Sequence, residues 1–97
     1  MNGQIDTAIK EHRVIRFTYE GGVRIVEPYA HGVSHENNEV VRCWQKEGFS
    51  SSGNSQGWKL FEVVKMTNLA VMQEIFQPIR SGYRKGDSAM RTIICEI

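Results

Sequence analysis

Hydrophobic periodicity changes once near the start of this 97-residue chain, and that change limits the folds open to it. Residues 3–12 place Ile5, Ala8 and Ile9 at helical spacing, with Asp6 early and Lys10 late, which predicts a short amphipathic helix whose charges suit its dipole. From Val14 the period becomes two. Ile15, Phe17 and Tyr19 alternate with Arg16, Thr18 and Glu20, and Gly21-Gly22 ends the run as a hairpin signal. A second strand is expected from Val23 to about His31; Pro28 within it lacks an N–H and so marks an edge or a bend. After a polar turn at Glu36-Asn37-Asn38, a third strand reads Val40 to Trp44. Trp58 to Met66 alternates again. Leu69 to Phe76 is apolar enough for either a strand or a short helix, stopped by Pro78, and Thr92 to Ile97 reads as a β-branched closing strand. Residues 48–57, GFSSSGNSQG, hold three Gly and four Ser and predict a mobile loop, while 81–87 reads as a turn-rich linker.

One helix followed by five or six short strands predicts a mainly β single domain over residues 1–97. The expected form is a small, strongly bent SH3-like barrel, because closure removes exposed strand edges; an open α+β sheet with the helix on one face is the alternative. With 40% hydrophobic and 24% charged residues, the composition excludes disorder, collagen and coiled coil. No apolar run reaches the roughly 20 residues of a membrane helix. The first residues carry neither a signal peptide nor an Arg-rich transit peptide, so no membrane association and a cytoplasmic location are expected. Cys43 and Cys95 cannot build a disulfide scaffold and show no zinc spacing, which leaves them as strand fillers. A net charge of +1 argues against a dedicated duplex-DNA binder, so a nucleic-acid role has to rest on a local patch.

Particular residues add to the pattern. Ile5 to Ile9 with Val14-Ile15-Arg16-Phe17-Thr18-Tyr19, then Arg24-Ile25-Val26-Glu27-Pro28-Tyr29, then Trp58-Lys59-Leu60-Phe61-Glu62-Val63-Val64-Lys65-Met66 occur in that order. Together they resemble the WYL domain family of bacteria over residues 4–69, most specifically in Arg-x-Val-Glu-Pro-Tyr preceded by Phe-x-Tyr. The resemblance implies an SH3-like or Sm-like barrel and a sensor of nucleic-acid or nucleotide ligands, usually placed behind a winged helix-turn-helix. Here a stand-alone domain without that element is expected. The Trp-Tyr-Leu triplet that names the family falls near Glu39-Val40-Val41, where none of its side chains is present. The family's later basic motif keeps Lys59 and Lys65 at its outer positions, with Glu62 and Val64 replacing the inner Arg and Asp.

Arg24, Arg42, Lys59 and Lys65 lie on three predicted strands and are the candidates to converge on one barrel face and neutralise phosphate, with Trp44 or Tyr29 as a stacking surface. The competing reading leaves them as solvated strand residues, some paired with Glu27, Glu39 or Glu62. Arg24 leads because the resemblance puts it in the most specific motif; Glu27 is its candidate ion-pair partner. Phe17, Tyr19, Phe61 and Phe76 are assigned to the core. Trp44 either stacks on a ligand or covers the barrel end, and Trp58 reads as a lid over the core. Arg80, Arg84 and Lys85, with Tyr83 between, form either a second contact strip or a soluble turn. His31 and His35 are four apart across Gly32 and a turn, which is not a metal-binding spacing. No nucleophile with a base, no carboxylate pair and no phosphate-cradling glycine loop is present, so no catalytic residue, metal or cofactor is assigned. The expected function is a non-enzymatic sensing or regulatory module that binds single-stranded nucleic acid or a nucleotide. The alternative is an interaction module that takes a second copy or a regulatory protein by strand addition, at an edge near Pro28 or along Thr92 to Ile97.

Overall fold

A computed structural model describes residues 2–50, 53 and 55–97; Ser51, Ser52 and Asn54, within the expected mobile loop, lie outside the described residues. Helix α1 spans Asn2–Glu11 and is followed by β1 (Arg13–Tyr19), β2 (Gly22–Ser34), β3 (Glu39–Gly48), β4 (Gly57–Glu62), β5 (Thr67–Ile75) and β6 (Met90–Glu96). The protein is mainly β with one short N-terminal helix, as the period change at Val14 predicts. Ile5, Ala8 and Ile9 are fully buried, so the helical stripe is the face that packs on the sheet. Each of its isoleucines contributes about 1.5–3 kcal/mol by leaving water. His12 ends the helix in a left-handed conformation, φ 56°.

The strands form one antiparallel sheet in the order β4-β3-β2-β1-β5, with β6 joined to the far half of β2. β4 and β5 remain the ends of that order, and strand pairing among the described residues does not close a barrel. The β1–β2 hairpin turns on Glu20-Gly21, both at positive φ, one residue earlier than the glycine pair suggests; Gly22 already pairs with Tyr19. β2 organises the molecule. Its first part pairs with β1 as far as Val26 and its last part pairs with β6 from Ala30, while β3 runs along its other side. Pro28 sits at that change of partner, beside a break in the β2–β3 register, so its missing N–H disturbs neither neighbour. It marks a bend, and there Glu27 and Pro28 pair with β3 alone, in the gap between the stretches that β1 and β6 take.

Two expected boundaries move. The alternation from Trp58 breaks at Glu62, and Val63–Lys65 forms one 3-10 turn. Val63 and Met66 are buried while Val64 is exposed, a spacing of three in place of two. Leu69 to Phe76 resolves in favour of strand: Val71 lies opposite Ile15, and Ile75 opposite Arg13.

One face of the sheet closes over α1 around Phe17, Phe61, Val26 and Val41. Phe17, Tyr19 and Phe61 meet edge to face, with ring centres 4.9–6.1 Å apart. The other face carries a second cluster built on Val14, Tyr29 and Phe76, against which Trp44, Trp58 and Tyr83 pack. The segment between β5 and β6 crosses this second face.

Candidate functional site

The second cluster supplies the walls of a cleft. Trp44 on β3 lies opposite Trp58 on β4, and their rings meet edge on at 5.6 Å. Tyr83 comes from the crossing segment and lies 5.9 Å from Trp58 and 5.2 Å from Tyr29. Gly82 lets that segment lie against the indole: it has φ +96°, and a Cβ there would stand 2.9 Å from Trp58 Nε1. The same indole N–H donates to the Ser81 carbonyl at 2.9 Å. Between this wall and the turn opens a cleft of about 480 Å³, lined by Arg42, Trp58, Tyr83, Arg84, Lys85 and Asp87 among others. That volume lies within the range of small-ligand sites, roughly 300–1,000 Å³.

Its electrostatics are uneven. Arg42 is held by Asp87 in a two-pronged contact, Nε to Oδ2 at 2.6 Å and Nη2 to Oδ1 at 3.3 Å. Burial works to raise the Asp87 pKa, but the Arg42 hydrogen bond and the Ala89 N–H hold it below the usual carboxylate range. The Tyr83 hydroxyl donates to Glu96 at 2.6 Å; burial first, and that bond second, push its phenol far above the ordinary tyrosine range. Arg84 and Lys85 are exposed, and neither has a hydrogen bond or ion pair with another described residue. Three cations against one carboxylate leave the cleft positive.

The six candidate residues do not share one face. Arg42 lines the cleft and Trp44 stands behind it, its ring covered by the Arg80 guanidinium at 4.8 Å. Tyr29 is buried at the centre of the second cluster, so it supports the wall and is not a stacking surface; its hydroxyl accepts the Arg80 N–H, and burial raises its pKa. Arg24 is 3% exposed on the opposite face, boxed by the rings of Tyr19, Phe49 and Phe61 at 5.3–5.4 Å. It bonds Gln45 at 3.2 Å and Glu20 at 3.4 Å. Glu27 is therefore not its partner: residues three apart on a strand face opposite ways, and Glu27 takes Arg80 instead, at 3.0 and 3.1 Å. Lys59 contacts Ser50 at 3.2 Å, on the strand position opposite Cys43. Lys65 lies on the exposed 3-10 turn beside Glu62 at 3.0 Å, whose hydrogen bond raises its pKa. Of the cluster Arg80, Arg84 and Lys85, Arg80 is taken by Glu27 and the Trp44 ring, while Arg84 and Lys85 sit on the turn that Tyr83 anchors.

One cluster was missed. His31, wholly buried on β2, faces Asp6 of α1 at 2.7 Å through Nδ1 and Glu39 of β3 at 2.5 Å through Nε2. Asp6 thus serves this contact, lying past the first helical turn where a dipole role was expected. A histidine inside the run Tyr29-Ala30-His31-Gly32-Val33 was the available signal, since a polar residue at a core position needs partners. Burial pushes the Cys43 thiol up and keeps it protonated near neutral pH. No helix among the described residues is long and apolar enough to cross a membrane. Comparison with protein-family models, with curated proteins and with solved structures found no match to this chain.

Proposed function

We propose that this chain is a non-enzymatic, WYL-like regulatory module that takes a nucleotide or a short stretch of single-stranded nucleic acid in the cleft beside Trp58 and Tyr83. The observation that carries this reading is the pairing of two unpartnered cations, Arg84 and Lys85, with an aromatic wall. Phosphates need the first and bases the second. The WYL-like motifs support it from the sequence side through Trp58, which opens the last of them; Arg42 and the crossing segment lie outside those motifs, and Arg24 lies away from the cleft. Two free thiols suit work in the reducing cytoplasm.

Fluorescence anisotropy with a labelled single-stranded DNA of about ten bases tests the proposal. Affinity is expected to fall on the order of tenfold between 50 and 200 mM salt, as the release of two or three counterions requires. Replacing both Arg84 and Lys85 with alanine is expected to weaken binding about tenfold without unfolding the chain, since both are exposed. Salt-insensitive binding, or equal affinity in the double variant, would remove the cleft from consideration.

A second reading has one observation in its favour. Among the described residues β6 pairs with β2 alone, so its other edge has no strand partner there, and Ile94 on it is 48% exposed. Strand addition by a second copy or a regulatory protein partner fits that edge. Light scattering over a concentration series distinguishes self-association there from a monomer.

A further inference from the structure

We infer that Asp87 occupies, with its own carboxylate, the position at Arg42 that a ligand's phosphate takes, so that binding exchanges one anion for another. The inference rests on the proposed function, since it needs the cleft to be the ligand site. Among the cations lining the cleft, Arg42 is the one already engaged, and its planar fork is filled from Nε and Nη2 by the two oxygens of Asp87. Carboxylate and phosphate present the same pair of acceptors to such a fork. A phosphate drawn in by Arg84 and Lys85 meets the Asp87 charge on the same wall, and two anions beside one guanidinium repel each other. One of them has to leave.

The surrounding contacts permit Asp87 to be the one. The crossing segment stays anchored without its side chain: Tyr83 and the Gly86 N–H both reach Glu96, and His35 contacts the Ser88 carbonyl at 3.0 Å. The Met90 N–H bonds the Asp87 backbone carbonyl, which side-chain movement does not disturb. Only the 3.0 Å bond from the Ala89 N–H to Oδ1 is given up. Asp87 therefore sets which ligands succeed. Those with a phosphate able to take both Arg42 donors displace it, and neutral or singly coordinating ligands do not.

The probe is the same ten-base single-stranded DNA. Asp87→Asn keeps an oxygen for the Ala89 N–H but loses the charge, and it is expected to bind on the order of tenfold more tightly. Arg42→Gln is expected to bind about tenfold more weakly, and adding Asp87→Asn to it is expected to change affinity less than about twofold. In the unaltered protein, saturating DNA is expected to shift the Arg42 Nε–H and Ala89 amide resonances together, a readout that needs no variant to fold. If the unaltered protein binds while these two resonances stay fixed, the exchange is overturned and the cleft stands. The same gain from Asp87→Asn with and without Arg42 also overturns it, because the effect is then general repulsion. If no form binds the DNA, the proposed function fails and the exchange fails with it.

Discussion

Arg24→Ala is expected to lower stability by about 3 kcal/mol and to leave the affinity of the folded protein for single-stranded DNA unchanged. Arg24 is 3% exposed, and its guanidinium fills a box of three aromatic rings. Alanine leaves that space vacant, strips Gln45 Oε1 of its donor, and breaks the contact to Glu20, whose side chain is 48% exposed and rehydrates. The packing loss therefore outweighs the ion-pair loss. For a domain of this size, about 3 kcal/mol corresponds to a fall in Tm on the order of 15 °C. Thermal and urea unfolding give the first quantity, and anisotropy gives the second. A stability loss under about 1 kcal/mol together with a large fall in affinity would return Arg24 to the ligand site.

His31→Leu is expected to cost a similar amount, about 3 kcal/mol, because it leaves two carboxylates facing an apolar side chain. Both ring nitrogens of His31 lie within hydrogen-bond distance of a carboxylate. Asp6 and Glu39 are 26% and 30% exposed, so water recovers part of the loss and the cost stays below that of a fully buried charge. The contact ties α1 to β2 and β3. Its loss is expected to free the helix first, which hydrogen exchange on the α1 amides detects. Restoring partial satisfaction by combining His31→Leu with Asp6→Asn and Glu39→Gln is expected to recover roughly half of the deficit, since neutral amides lose less in an apolar setting. A triple variant no more stable than His31→Leu would show that lost packing, and not the stranded charges, sets the cost.

These two residues also show what a single sequence carries. Local periodicity was sufficient for α1, β1 and the hairpin, because Ile5, Ala8 and Ile9 and then Ile15, Phe17 and Tyr19 each mark a face within one element. It failed at Val63–Lys65, where the turn is decided by Val63 and Met66 reaching the core from either side. The cleft was less legible. Arg42, Trp44 and Tyr29 were singled out and do meet on one side of the sheet, but Asp87 and Tyr83 join them only because the segment after Pro78 crosses back over β3 and β4. That crossing is a long-range fact with no local signature. Arg24 was misplaced for the same reason: the motif gives its identity, while its burial depends on Phe49 and Phe61 arriving from distant stretches of chain.

The most direct test of the account is an amide-resolved NMR titration of the full chain with ten-base single-stranded DNA at low and moderate salt. Shifts are expected to be confined to Arg42, Trp58 and residues 82–89, including the Trp58 indole N–H, all shrinking as salt rises. Shifts gathered on the edge of β6 away from β2, or around Arg24 and Lys65 with the cleft silent, would contradict the account.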